Sequence, residues 1–71
     1  MGEVKIGALV WPQYTTWQSV RSMGVEADRV GYDTLWTWDH LYPIIGNPNG
    51  PIFEGWSTLV AWAEATKRIR I

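Results

Sequence analysis

The chain has 71 residues, a formal net charge of −1, 18% charged and 14% aromatic residues, and no cysteine. This composition excludes a disulfide-stapled domain, a cysteine-rich metal site and a disordered chain. No apolar run is long enough for a transmembrane helix, and the scattered Lys and Arg residues argue against a nucleic-acid surface. The lack of cysteine and of a cleavable leader motif favours a cytoplasmic protein.

The beginning of the chain predicts a strand followed by a helix. Residues 4–10 (VKIGALV) are mostly apolar on both faces, which is typical of a strand in a parallel sheet. Thr15 or Thr16 is expected to cap the helix, and Gly31 is expected to close it in a left-handed conformation. The helix is predicted to bury one apolar stripe, made of Val20, Met23, Ala27 and Val30.

The second half predicts another strand, a long loop and another helix. Residues 33–38 (DTLWTW) are rich in strand-forming residues, whereas residues 41–55 hold three prolines and three glycines. A helix over residues 56–67 follows, and residues 69–71 begin a third strand. The helix is predicted to place Trp56, Leu59, Val60 and Ala63 on one side, Glu54 at its start, and Lys67 and Arg68 at its C-terminal end.

This order of elements predicts an α/β fold with parallel strands joined by right-handed crossovers. We expect residues 1–71 to form one unit rather than two. In such folds ligands bind at the carboxyl ends of the strands, because the loops there can vary in sequence while the strands hold the ends of these loops in place.

Two residue pairs follow the predicted strands at that end. Asp39 and His40 come after the second strand, where His40 suits proton transfer near neutral pH and a carboxylate can orient it. Strand alternation places the two side chains on opposite faces. Trp11 and Gln13 follow the first strand and can line a pocket for a flat ligand. Structural roles remain the alternative for both pairs, as strand-end hydrogen bonding and turn packing.

Six tryptophans also suggest a sugar- or base-stacking surface. Their places in a strand and in an apolar helix favour core packing for most of them. One histidine and scattered carboxylates do not make a metal-ligand set, so no metal site is predicted.

Four segments of the chain carry a resemblance to a known family: VKIGALV at 4–10, ADRVGYD at 27–33, LWTWDHL at 35–41 and PIFEGWSTLVAWAEATKRIRI at 51–71. Taken together, they resemble the N-terminal end of the luciferase-like monooxygenase family, and residues 1–71 would then be an incomplete domain. This family includes oxidoreductases that use FMN or the deazaflavin coenzyme F-420. The sequence departs from the family at Trp38, where a small residue is common.

The resemblance implies a TIM-type (βα)8 barrel, of which this chain supplies the first two βα units and the start of the third strand. It implies catalytic roles for His40 and Asp39, and a cofactor pocket lined by Trp11, Gln13 and His40. It also implies hydride transfer with a small organic substrate, or monooxygenation with FMN and oxygen. The cofactor's phosphate loops come late in the family's barrel, so the 71-residue chain is expected to be inactive alone.

Two other interpretations stay open on the sequence. One is a non-catalytic quarter-barrel that associates with copies of itself, and the other is an aromatic-rich carbohydrate-binding module. The partner of the chain is the rest of the barrel if it is part of an oxidoreductase, and a second copy of the chain if it is a self-associating quarter-barrel.

Overall fold

The computed structural model describes residues 4–71. Two parallel strands are each followed by a helix, in an open sheet. The elements in chain order are β1 (Gly7–Leu9), α1 (Trp17–Val30), β2 (Thr34–Trp36) and α2 (Gly55–Ala65). This confirms the predicted α/β class and order of elements, although both strands are shorter than predicted.

The C-terminal segment extends the sheet on the far side of β2. Arg70 forms a parallel bridge with Thr34. Its amide donates to the Asp33 carbonyl at 3.1 Å, and its carbonyl accepts from the Leu35 amide at 2.7 Å. Since Thr34 also pairs with Gly7 of β1, the strand order follows the chain order, as the predicted start of a third strand requires.

Both helices pack on the same face of the sheet. The indole nitrogen Nε1 of Trp62 in α2 donates to the Val20 carbonyl of α1 at 2.9 Å, so the two helices are joined inside the core. A Cβ on Gly24 would lie 2.5 Å from the Trp62 ring, which explains why this helix position is a glycine. The buried core consists of Val10, Val20, Ala27, Leu35, Trp62 and Ile69.

The predicted stripe of α1 is half wrong. Val20 and Ala27 are buried as expected, but Met23 and Val30 are each more than half exposed. Gly24 replaces them on the inner face, because the Trp62 ring occupies the space where a side chain would lie.

Of the four residues predicted to share one side of α2, Leu59 packs against the core. Trp56 and Val60 are 73% and 68% exposed. The buried positions are instead Gly55, Thr58 and Trp62. Thr58 can be buried because its hydroxyl donates to the Glu54 carbonyl at 2.8 Å, which satisfies its polar group.

Three of the four helix ends follow the predictions closely. Thr16 caps α1 by accepting a hydrogen bond from the Ser19 amide, and Gly31 closes this helix with φ of 103°. Glu54 caps α2, where its carboxylate accepts from the amides of Trp56 and Ser57. Caps are recognisable in sequence because each depends on one residue and its local backbone.

The C-terminal end of α2 differs from the prediction. The helix ends at Ala65, so Lys67 and Arg68 lie beyond its last turn. Their backbone amides and that of Ile69 converge on the Asp28 carboxylate of α1, at 2.9–3.1 Å. These hydrogen bonds, that of Lys67 foremost, hold the pKa of Asp28 below its ordinary value. One carboxylate thus fixes the path from α2 to the segment that joins β2.

The second face of the sheet is uncovered. Leu9 and Trp36 lie opposite each other on this face, and they are 57% and 60% exposed. The expectation that most tryptophans lie in the core is therefore wrong. Among the six, Trp62 alone is fully buried, Trp17 and Trp38 are partly buried, and the other three are exposed.

None of the helices within residues 4–71 is long and apolar enough to cross a bilayer. The prediction about a leader motif depends partly on residues 1–3, which lie outside the described residues.

Candidate functional site

The residues after β1 and those after β2 lie at one edge of the sheet, because parallel strands end on the same side. The indole rings of Trp11 and Trp38 meet edge to face, with centroids 6.0 Å apart. The Trp38 ring in turn meets the His40 imidazole, with centroids 4.6 Å apart and planes inclined at 67°. These three residues, Trp11, Trp38 and His40, form a continuous aromatic row at the carboxyl ends of the strands.

The aromatic row is open to ligands. Trp11 is 49% exposed, His40 is exposed and Trp38 is partly buried between them. Indole faces stack on planar rings, and an imidazole adds a hydrogen-bond donor or acceptor at the end of the row. Trp11 and His40, two of the three residues predicted to line a cofactor pocket, are thus brought together through Trp38.

Asp39 is hydrogen-bonded to the start of α2. Its Oδ1 accepts a hydrogen bond from the Gly55 amide at 2.9 Å, at the start of α2. A Cβ on Gly55 would lie 2.8 Å from the Asp39 Cβ, so this glycine permits the close approach. Asp39 and His40 therefore face different partners, as the strand alternation predicts, and Asp39 fixes α2 against the end of β2.

A second carboxylate shares the start of α2 with Asp39. Glu54 accepts from the Ser57 hydroxyl and amide and from the Trp56 amide, at 2.6–2.9 Å. The Ser57 hydroxyl makes the largest contribution to a lowered Glu54 pKa. Both carboxylates are thus engaged by α2, and the structural role predicted for Glu54 is confirmed.

Gln13 lies below the open surface. The side chain is buried, and its Oε1 accepts a hydrogen bond from the Ile44 amide at 2.9 Å. Its backbone forms an antiparallel bridge with Ile52. Gln13 therefore ties the long loop after β2 to the end of β1, while the pocket-lining role implied by the resemblance remains a prediction.

Tyr14 is an anchor that the sequence analysis missed. It has a left-handed backbone with φ of 52°, and its hydroxyl donates to the Asn47 carbonyl at 2.5 Å. A Cβ on Gly46 or Gly50 would lie within 3.1 Å of the Tyr14 ring or hydroxyl, so the loop wraps around this side chain. Gly46 and Gly50 are the sequence features that could have indicated this anchor, since close packing of a loop on an aromatic ring requires small residues.

The cavities near the aromatic row are shallow. A depression of about 170 Å³ lies between Trp38, Asp39 and the first turn of α2. A larger groove, of about 530 Å³, lies on the outer face of α2 beside Trp56 and Val60. Chemistry and exposure, rather than cavity size, therefore identify the aromatic row as the candidate site.

Within residues 4–71 no three His, Cys, Asp or Glu side chains are grouped so that they could hold a metal ion. Comparisons of the chain with protein-family models, with curated proteins and with solved structures found no match.

Proposed function

We propose that the chain is the first quarter of a TIM-type barrel oxidoreductase of the luciferase-like kind, which binds FMN or the deazaflavin coenzyme F-420 at the strand ends. The aromatic row carries this proposal, because it presents indole faces and one imidazole at the edge where barrel enzymes bind their ligands. When bound, such a cofactor supplies hydride transfer to a small organic substrate, or monooxygenation with FMN and oxygen.

The sheet supports the barrel part of the proposal. Strand order follows chain order, both helices cover one face, and the apolar side chains of Leu9 and Trp36 lie on the other. In a barrel that second face is covered by side chains from the remaining strands. We therefore propose the rest of a barrel as the partner of this face, in a cytoplasmic protein.

The residues of the chain have distinct roles in this proposal. Trp11 and Trp38 contact the planar cofactor ring, one with its face and the other with its edge, because their indole planes are inclined at 69°. Together they keep water from that ring. His40 donates or accepts a hydrogen bond, or a proton, at the ring edge. Asp39 and Gln13 act as positioning residues, since Asp39 holds α2 and Gln13 holds the loop.

Lumiflavin tests the proposal on the 71-residue chain, because it has the flavin ring but no phosphate. We expect a dissociation constant on the order of 1 mM, about −4 kcal/mol, since the row supplies ring contacts alone. NMR shifts should concentrate on the Trp11 and Trp38 indoles and on His40. The exposed variants Trp11→Ala and His40→Ala should weaken binding, whereas Tyr32→Ala, at the opposite end of the strands beside Gly31, should not. Shifts that centre on Tyr32, or that survive both variants, would contradict the proposal.

In a complete barrel that contains this segment, His40→Ala should lower kcat by about 10²-fold, the effect expected for loss of a general acid or base. Met23→Ala, on the exposed side of α1, is the control. A kcat within a factor of two of the parent would leave His40 with a structural role.

A second candidate is a non-catalytic protein whose copies cover one another's open sheet face. The exposure of Leu9 and Trp36 favours it, because parallel sheets are normally covered on both faces. Sedimentation equilibrium should then give a mass above 8.1 kDa that returns to the monomer value in Leu9→Asp. A monomeric parent chain would rule this candidate out.

A further inference from the structure

A turn in the long loop after β2 contains both asparagines of the chain. In residues 47–50 (NPNG) the Gly50 amide donates to the Asn47 carbonyl at 2.9 Å. The Asn49 amide donates to the side-chain oxygen Oδ1 of Asn47, also at 2.9 Å. Proline in the second place and glycine in the fourth are typical of a type I turn. Asn47 thus accepts the hydrogen bonds that close this turn.

The two asparagines differ in whether the following residue can react with them. Asparagine is thermolabile because its side-chain amide is lost when the next backbone nitrogen attacks it. Asn47 is followed by Pro48, which has no backbone N–H. Asn49 is exposed and is followed by Gly50, which has no side chain to shield its nitrogen. The turn therefore holds one reactive asparagine beside one that cannot react in this way.

The same turn fastens the loop to Tyr14. The Tyr14 hydroxyl donates to the Asn47 carbonyl, and the Tyr14 amide donates to the Pro51 carbonyl at 2.9 Å. A Cβ on Gly50 would overlap the Tyr14 hydroxyl, so the backbone has no spare room on this side. An additional backbone atom between Asn47 and Gly50 would therefore break the turn and its contact with Tyr14.

We infer that Asn49 is a site of spontaneous deamidation, and that its isoaspartyl product releases the long loop from Tyr14. The inference concerns the chain itself and does not depend on the cofactor or the reaction proposed above. Its only reactant besides the chain is water.

The reaction has two steps, and neither oxidises or reduces an atom. The Gly50 nitrogen attacks Cγ of Asn49, a bond forms between these atoms, and Nδ2 leaves as ammonia with the proton of the Gly50 amide. Water then opens the cyclic imide. Attack at Cγ gives aspartate, whereas attack at the backbone carbonyl carbon gives isoaspartate, in which the chain runs through Cγ and is one methylene group longer. Either product brings a carboxylate into residues 40–53, which have no Asp, Glu, Lys or Arg.

Peptide mapping by mass spectrometry, on the chain stored in neutral buffer, tests the site. Conversion should occur at Asn49 and not at Asn47. Because the folded turn engages the Gly50 amide, conversion should be slower than in urea. The difference should be about 100-fold or less, since the loop can open without global unfolding. Conversion at Asn47, or a folded chain that converts only as fast as it unfolds globally, would overturn the inference.

The Tyr14 anchor should control the rate of this conversion. Tyr14→Phe removes the hydrogen bond to Asn47 and should speed conversion about twofold to tenfold, as the loss of one hydrogen bond would. Tyr42→Phe, at an exposed tyrosine of the same loop, is the matched control and should convert like the parent. Equal rates in the two variants would overturn the inference.

Thermolysin tests the release of the loop. Cleavage between Ile52 and Phe53 requires an open loop, because the Phe53 amide donates to the Pro12 carbonyl at 2.8 Å. The purified isoaspartyl form should be cut at least about tenfold faster than the fresh chain, since cleavage follows the open population. Freshly prepared Asn49→Asp has the charge without the added backbone atom and should be cut like the fresh chain. An isoaspartyl form as resistant as the fresh chain, or an Asn49→Asp chain cut as fast as the isoaspartyl form, would overturn the inference.

Discussion

The two faces of the sheet differ in how their apolar side chains are satisfied. On the helix-covered face, Leu35 and Trp62 are at most 1% exposed, and the indole of Trp62 is hydrogen-bonded to α1. On the open face, Leu9 and Trp36 keep more than half of their surface in water. Side chains of the same type thus stabilise the fold on one face and remain available for a partner on the other.

The largest expected difference is between two tryptophans of α2. Trp62→Ala should lower the free energy of unfolding by about 3–5 kcal/mol, because it leaves a large cavity between the helices. Trp56→Ala should cost less than about 0.5 kcal/mol, since Trp56 is 73% exposed. Urea denaturation followed by far-UV circular dichroism measures both. If Trp62→Ala has no folded baseline, Trp62→Phe supplies a milder variant, and equal losses at the two positions would contradict the described core.

A second prediction concerns the close contact of the helices. Gly24→Val should destabilise the chain by about 1–3 kcal/mol, because its side chain would overlap the Trp62 ring. Met23→Val, one position earlier on the exposed side of α1, should cost less than about 0.7 kcal/mol. Thermal unfolding of both variants distinguishes crowding from helix propensity, because propensity favours valine over glycine. A Gly24→Val variant as stable as the parent, or more stable, would show that propensity alone decides.

A third prediction separates backbone strain from packing. Gly31 has φ of 103° and open space around its Cα, so Gly31→Val meets no neighbour but must adopt a left-handed backbone. The cost should be about 1–2 kcal/mol in the free energy of unfolding. Gly31→Asn should cost less, since asparagine tolerates this conformation. Equal stability of the valine variant and the parent would place the end of α1 elsewhere.

The smallest effect should come from Asp28, and it should depend on pH. Because the folded pKa of Asp28 lies below its ordinary value of 3.8, its stabilising contribution is present above that value and is lost as the pH falls through the folded pKa. Asp28→Asn should therefore be less stable than the parent at pH 7, with a difference that shrinks in acid. Glu64→Gln on α2 is the control. A difference that stays constant with pH would show that Asp28 does not act through its charge.

Local features could be predicted from the sequence, and packing partners could not. The caps at Thr16, Gly31 and Glu54 each depend on one residue and its own backbone, so their positions were visible. The inner face of α1 could not be predicted in the same way, because the burial of Gly24 depends on Trp62, which comes 38 positions later in the chain. Because glycine has no apolar side chain, the hydrophobic periodicity of α1 predicts Met23 rather than Gly24 on the inner face.

The candidate site was predictable in position but not in its contacts. Parallel strands place Trp11 and His40 at one edge, and the structure brings them together there. The contacts of Trp38 and Tyr14 depend on side-chain geometry outside the helices and strands. Such segments have no hydrophobic periodicity from which the contacts could be predicted. The class of chemistry proposed for the site rests on the family resemblance, and the arrangement of its side chains required coordinates.

The fastening of the long loop has a consequence for hydrogen exchange. The amides of Tyr14, Ile44 and Phe53 donate to Pro51, Gln13 and Pro12, in bonds that involve neither helix. Amides held in this way exchange through a local opening of lower free energy than global unfolding. The core amides should therefore exchange more slowly than these three, which should exchange together as one unit. The aromatic row could then uncover its loop side while α1, α2 and the sheet stay folded.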